Sequence, residues 1–448
     1  MQINRLTRNL TKLVAIDSVL DTPRPGAPFG KANLDALTLM LGLGKEYGFC
    51  AYNGDGYYGY IDWIPLGADS DTPIIGILGH LDIVPCGDGW TSPALELTQR
   101  DDCLYGRGVV DNKGPCMAAL EAMYRLKNTG FVPKHIIRLI LGCNEESGSA
   151  CIAEYRNRGE RVPVASFVPD ADFSAVISEM GILHLQLALD IGDTLSVHGI
   201  EIQGGERPNV VPSQCRVTVP KSFAAKKLHS QLPDTVQKAI GNRICIDFLG
   251  TSCHAMEPHK GDNAIHKALC AIGHMTNDAN LTQLCRLICT PGATKNLGIH
   301  LEDISGTQTL NIGKIDSNAN TITLTLDLRC PCSQDIDKLQ SAIITKLIDF
   351  HPKLSQLHYA PPLNVDPESV LVRSLVDAYT TVTGNPVHYC RTGGGTYARA
   401  LPNAVAFGPN IPGTTNNIHN IDEHIKLDHL INLVDIYSIA IQKLDKNL

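Results

Sequence analysis

The sequence predicts an α/β fold: a mixed, mostly parallel sheet covered by helices, interrupted by an inserted α+β lid domain. Three observations predict it. Ile74-Ile75-Gly76-Ile77-Leu78-Gly79-His80 is an apolar run entered through Thr72-Pro73 and left through Val84-Pro85, which reads as a strand buried on both faces. Helical periodicity over Met117–Lys127 and Cys151–Arg158 then alternates with further apolar runs around Ile137 and Val164, the spacing of strand-helix-strand units. Beyond Glu179-Met180-Gly181-Ile182 the texture changes to alternating polar and apolar residues, as in antiparallel sheet covered on one face.

Taken in order, residues 1–20 and 29–47 have helical periodicity, and Pro23, Pro25 and Pro28 break the chain between them. Phe49 to Pro65 alternates like an edge strand leading into the Ile74 strand, its aromatics packing on the sheet. In the middle of the chain His184–Leu189, Thr194–Ile202, Cys215–Val219, Ile244–Leu249, Asn311–Ile315 and Ile322–Leu328 read as strands, and Ala264–Met275 and Asp335–Leu347 as helices. Pro361-Pro362 and Pro367 mark a return crossing. A helix over Val370–Thr383, a strand at Val387–Cys390, a buried strand within Asn403–Gly408 and a terminal helix over Ile425–Leu444 complete the pattern. The expected organisation is one domain in two parts, 1–180 and 366–448, with the lid domain inserted at 181–365.

A chain of 448 residues and 48.5 kDa suits two such domains. The formal charge of −8 offers no basic footprint for a nucleic-acid backbone. Apolar runs are too short to cross a bilayer, and the N-terminal residues lack a signal-peptide core, so a cytoplasmic protein without membrane contacts is expected. Fifteen cysteines are scattered through apolar segments. Only Cys330-Pro331-Cys332 and the Cys285/Cys289 pair come close in sequence, and neither has the paired spacing of a zinc knuckle; in a reducing compartment all read as small buried hydrophobes.

Chemistry concentrates at four places. His80 and Asp82 stand two positions apart at the end of the Ile74 strand, on one face of it, either as a metal ligand with its orienting acid or as a surface histidine near a carboxylate. Asp111 follows Gly106 and Gly108 on a tight turn that opens a helix. Asn144-Glu145-Glu146-Ser147-Gly148 ends the next strand, where the two glutamates either serve a site or cap the following helix. Val168-Pro169-Asp170 ends a fourth strand. Four carboxylate-rich strand ends are more than solubility requires. The glycines of Gly106-x-Gly108 do not make a dinucleotide fingerprint, and Gly393-Gly394-Gly395-Thr396 lacks the lysine of a phosphate loop.

These motifs, in this order, resemble the co-catalytic metallopeptidases of the M20 family, most closely its PepV-like dipeptidase branch. The resemblance rests on Gly79-His80-Leu81-Asp82-Ile83-Val84-Pro85, Tyr105-Gly106-Arg107-Gly108 with Asp111-Asn112-Lys113-Gly114, the Asn144–Ser149 turn, Val168-Pro169-Asp170-Ala171, Arg207-Pro208-Asn209-Val210-Val211-Pro212, His254 and Gly393–Ala398. It implies a co-catalytic zinc exopeptidase fold and two divalent ions per chain, zinc foremost, with manganese or cobalt as alternatives. By position, His80 and Asp170 would hold one ion, Glu146 and His419 the other, and Asp111 would bridge them. His419 precedes Asp422-Glu423 as the family pattern expects, whereas His424 is read as opening the terminal helix. Asp82 would orient His80, Glu145 would be the general base, and His254 would reach from the lid to the oxyanion. Asn209 and Arg329 would bind the peptide's carboxylate end or assist the oxyanion, and the backbone of Gly394, Gly395 and Thr396 would cradle that carboxylate. Hydrolysis of amide bonds in small peptides by a dipeptidase is the implied function. An N-acyl-amino-acid or succinyl-amide deacylase of the same clan is the alternative, and a catalytically inactive metal-binding protein a further one. The long lid of the PepV-like branch implies a monomer, with a homodimer as the alternative.

Overall fold

A computed structural model describes residues 2–227, 232 and 234–448, which form two compact units. The first comprises Met1–Ser178, Asn364–Arg391 and Gly395–Leu448; the second comprises Glu179–Leu363 and Thr392–Gly394.

The first unit is built on a mixed sheet whose order runs Cys50–Gly54, Tyr58–Trp63, Ile136–Gly142, Ile74–His80, Ala165–Val168, Ala404–Ala406, Ala175–Glu179. Ile136–Gly142, Ile74–His80, Ala165–Val168 and Ala404–Ala406 are mutually parallel at its centre. All seven residues of Ile74–His80 are buried, as are all seven of Ile136–Gly142, which explains why neither run alternates. Register pairs Ile74 with Ile136 and His80 with Gly142, so the loops after both strands leave the sheet at one edge. Helices Lys31–Glu46, Lys113–Asn128 and Leu427–Asn447 pack on this sheet, and Gln2–Val14 and Val370–Thr383 pack on the helices. Gly79 lets the start of the Lys113–Asn128 helix lie close against the Ile74–His80 strand: a Cβ there would stand 2.4 Å from Cys116 Sγ and 2.6 Å from Asn112 Oδ1.

The second unit holds an eight-stranded antiparallel sheet in the order Thr235–Ile240, Arg243–Leu249, Gln214–Pro220, Glu201–Gly204, Thr309–Asn318, Thr321–Cys330, Gly181–Asp190, Lys353–Ala360. Gly181–Asp190 alternates buried with less buried positions along its length, as expected of a sheet covered on one face. Helices Ala264–Thr276, Ala279–Ile288 and Ile336–Lys346 bury Ile265, Leu269, Ile272, Leu281, Leu284 and Ile343 in the core beneath.

Three elements differ from the sequence reading. Phe49 to Pro65 is a hairpin, not one strand: Asp55 and Gly56 both take positive φ, 54° and 76°, and Asp-Gly is the dipeptide that two-residue hairpin turns favour. Its second strand lies beside Ile136–Gly142 rather than Ile74–His80. Thr194–Ile202 splits into a short helix, Thr194–His198, and a strand, Glu201–Gly204, because Gly199 in the left-handed region (φ 62°) ends the helix. The terminal helix starts at Leu427; His424–Lys426 is a strand paired with Cys103–Tyr105, and His424 stacks its ring on Tyr105.

Candidate metal centre

Parallel strands gather the site. His80 ends one of them, Glu145 and Glu146 follow the neighbouring Ile136–Gly142 strand, and Asp170 follows Ala165–Val168 on the other side. His80 is fully buried. Its Nδ1 lies 3.0 Å from the backbone carbonyl of Asp82 and its Nε2 2.9 Å from Asp111 Oδ1, with Asp170 Oδ2 at 3.7 Å. The other oxygen of Asp111 lies 2.9 Å from Nε2 of His419, which is itself 2.9 Å from Glu146 Oε1. Asp111 therefore stands between two imidazoles. His80, Asp111 and Glu146 each offer a donor atom within 4.8 Å of the others, and so do His80, Glu145 and Asp170. His419 carries a positive φ of 62° and a half-exposed side chain.

Two buried carboxylates hold these groups in place. Asp82 accepts the backbone N–H of Glu145 through Oδ1 and that of Glu146 through Oδ2, each at 3.0 Å, so it fixes the glutamate turn. Its carboxylate is 3.4 Å from His80 Nδ1, farther than its own carbonyl. Glu423, completely buried, accepts the backbone N–H groups of Gly108, Val110 and Asp111 and pairs with the buried guanidinium of Arg107 at 2.8 Å. Sequence reading used Glu423 only as a marker for His419; that it organises the Asp111 loop emerges from three dimensions. The Asp111-Asn112 peptide is cis. Asn112 is the N-cap of the Lys113–Asn128 helix and donates from its side chain to Pro169 O.

The glutamates do not cap the next helix. Ala150–Asn157 begins behind Ser149 and has no acid in its first turn, which removes the structural alternative for Glu145 and Glu146.

Charge in the site is unbalanced. Burial, together with repulsion from Glu146, Asp82 and Asp111, outweighs the attraction of His80 and raises the Glu145 carboxyl to about 8. Burial and the field of Asp111 push Asp170 well above the carboxylate range. Burial opposes protonation of His80 and His419, yet the surrounding carboxylates win; His80 rises well above its ordinary value and His419 to about 11. Against its burial, His419 and His80 hold the Asp111 carboxyl below its ordinary value, while Glu145 and Asp170, buried among like charges, are driven to take up protons, as in a site short of cations. Oxygen and imidazole donors at these separations fit two divalent ions sharing Asp111.

The remaining candidates divide between the units. Gly395 and Thr396 belong to the first: a Cβ on Gly395 would collide with the Arg399 guanidinium, and Thr396 Oγ1 accepts the N–H of Ala398 at 3.1 Å. Asn209, His254, Arg329 and Gly394 belong to the second. His254 is exposed, sits in a backbone bridge with Val210, and accepts the Met256 N–H at Nδ1. Asn209 accepts the Ala255 N–H through its backbone carbonyl. Arg329 is buried and finds its counter-charge two residues away, with bonds of 2.7 and 2.9 Å to Asp327, and it donates to Gly393 O at 2.9 Å. The Gly394 N–H is donated to Thr392 Oγ1.

A mixed α/β sheet with helices over it and paired metal-donor clusters at the carboxyl edge defines a co-catalytic metallohydrolase. The chain belongs to peptidase family M20/M25/M40, whose family model matches residues 76–443. It is thus a metal-dependent hydrolase that binds two metal ions and acts on peptide or amide bonds. It is 34% identical over 461 residues to the Bacillus subtilis (strain 168) protein named "Putative dipeptidase YtjP", covering 98% of this chain and 97% of that one. A Staphylococcus aureus (strain USA300) protein named "Putative dipeptidase SAUSA300_1697" is 30% identical over 466 residues, with the same coverage. Among solved structures, human carnosine dipeptidase 1 matches with a TM-score of 0.61 at 16% identity, covering 99% of this chain and 96% of that one. The dipeptidase Dug1p of Saccharomyces cerevisiae matches with a TM-score of 0.60 at 14% identity, covering 99% and 97%. At such identities these two likenesses concern the fold. Among the described residues, no helix is long and apolar enough to cross a membrane.

Proposed function

We propose that this two-metal hydrolase is a dipeptidase of the PepV-like branch, zinc-dependent and self-sufficient as a monomer. The observation that carries the reading is Asp111, with one oxygen 2.9 Å from His80 Nε2 and the other 2.9 Å from His419 Nε2. A carboxylate flanked in this way is suited to being shared between two ions, each of which has its own histidine. The dipeptidase names of the relatives in two bacterial genera support the substrate class.

In this reading His80 and Asp170 hold one ion, Glu146 and His419 the other, and Asp111 both. Two divalent ions held there would supply Lewis acidity to the scissile carbonyl and acidify the attacking water. Glu145 takes the proton of that water and returns one to the leaving amine. Asp82 is a positioning residue, since its hydrogen bonds to the Glu145 and Glu146 amides aim both side chains. His254 donates to the developing oxyanion. Asn209 binds the carboxylate end of the peptide, with Gly394, Gly395 and Thr396 lining that end. Arg329 acts on the same turn through its bond to Gly393 O.

The test is turnover by metal-replete protein across dipeptides, tripeptides and N-acylated amino acids. A dipeptidase cleaves the first group far faster than the others. Preference for N-acyl or N-succinyl substrates would replace this reading with that of a deacylase.

A further inference from the structure

We propose that the second unit carries a separate, thiophilic metal site: a zinc ion held by the thiolates of Cys270, Cys285 and Cys289, with the imidazole of His266 as fourth donor. The three cysteines come from a helical hairpin. Cys270 lies on Ala264–Thr276, Cys285 lies on Ala279–Ile288, and Cys289 is the C-cap of that second helix, its N–H donated to Cys285 O at 2.9 Å. Their sulfurs all lie within 4.8 Å of one another, and none is in a disulfide. Tetrahedral zinc, with zinc–sulfur bonds of about 2.3 Å, sets its sulfurs roughly 3.8 Å apart, so the ion draws them in by about 1 Å at most.

His266 precedes Cys270 by one helical turn, so both occupy the same face; its ring nitrogens lie outside the 4.8 Å cluster of the three sulfurs, and ligation requires its side chain to turn toward them. Its Nε2 is buried and has no hydrogen-bond partner. Cys270 and Asp262 are the titratable neighbours whose fields act on its ring. A buried imidazole nitrogen without a partner costs free energy that coordination would recover. Three thiolates and one imidazole are the donor set of structural zinc sites, which are closed and carry no chemistry of their own. Cys285 is buried while Cys270 is exposed, which gives an ion a route in from the surface.

Cysteines serving only as apolar filler would not require the exposed Cys270 to turn its sulfur to the other two. Binding replaces three thiol protons by one divalent ion, releases those protons to solvent and changes no oxidation state. The consequence is a pin between two helices that are otherwise joined by Asn277-Asp278 and by apolar packing of Ile272, Leu281 and Leu284. The donors are soft where those at the Asp111 centre are oxygen and imidazole, so the two sites are separable by spectroscopy and this one does not depend on the catalytic reading.

The test is titration of the full-length, reduced protein with cobalt(II). Wild-type protein develops a thiolate-to-cobalt charge-transfer band that saturates once one cobalt ion is held at the cysteines and is abolished by zinc. The double variant His80→Ala, Asp111→Asn keeps that band, and Cys289→Ser loses it. Cys270→Ser, a change at an exposed position that leaves the core intact, loses it too. His266→Ala weakens zinc binding at this site by at least the roughly 10- to 100-fold that loss of a ligand's supporting partner costs. Absence of the band in wild type, or its survival in Cys270→Ser, overturns the site. Unchanged zinc affinity in His266→Ala overturns the fourth donor.

Discussion

Replacing Glu423 by Gln tests how the Asp111 loop is held. The carboxylate is fully buried and collects the N–H groups of Gly108, Val110 and Asp111 on one side and the Arg107 guanidinium on the other. Glutamine keeps the shape and one acceptor oxygen but turns an NH₂ either toward the three amides or toward Arg107, so donor meets donor in both orientations. Arg107, also buried, keeps weak contacts with the carbonyls of Pro85 and Cys86 at 3.4 Å and the ring of Trp90. Removing one member of a buried ion pair costs about 3–5 kcal/mol. Those residual contacts place the expected loss at about 3 kcal/mol, a large share of the 5–15 kcal/mol typical of a folded domain. Urea unfolding of the metal-free protein should show this as a lower midpoint at unchanged slope. The loosened Asp111 should also lower divalent-ion affinity. A loss below about 1 kcal/mol together with wild-type metal affinity would refute the claim that Glu423 organises the loop.

Further outcomes are expected at three residues. Glu145→Gln should keep its bound metals and lose roughly 10²- to 10⁴-fold in kcat, measured beside metal content; wild-type kcat would remove Glu145 from its role. Gly79→Ala should destabilise the protein by about 1–3 kcal/mol in thermal unfolding, because the new methyl meets Cys116 Sγ and Asn112 Oδ1 well inside contact distance. His254→Ala should lower kcat by about 10²-fold or more, as loss of an oxyanion donor does. Mixing His254→Ala with Glu145→Gln should restore no activity, and the protein should sediment as a monomer; restored activity would show the histidine shared across subunits.

The central strands were legible because Ile74–His80 and Ile136–Gly142 are buried throughout and almost wholly apolar, the exception, Arg138, being paired with Asp62, and a short apolar run bounded by turn residues suits a strand covered on both faces. Asp55-Gly56 is a turn signal, but the tyrosines on either side of it alternate as a single strand would, and periodicity alone does not separate the two. Ile425 continues the helical periodicity of Leu430 and Leu433, yet it pairs in a strand with Leu104, more than three hundred residues earlier, and periodicity carries no information about such a partner. The same limit applies to Glu423 and the cysteines. Glu423 gains its meaning from Arg107 and three amides of a distant loop. Cys285 and Cys289 lack zinc-knuckle spacing because their third member, Cys270, arrives from the preceding helix, and converging helices supply spacings that a linear motif does not. Asp82 was expected to orient His80; that its carboxylate also clamps the Glu145 and Glu146 amides depended on the register of two parallel strands.

The claim that two ions share Asp111 is tested most directly by anomalous scattering from zinc-loaded crystals. Apart from any peak at the cysteine trio, two peaks should lie less than about 4 Å apart. His80 and Asp170 should surround one of them and Glu146 and His419 the other, with Asp111 between. A single peak at this edge of the sheet, or a pair that leaves Asp111 unligated, would contradict it.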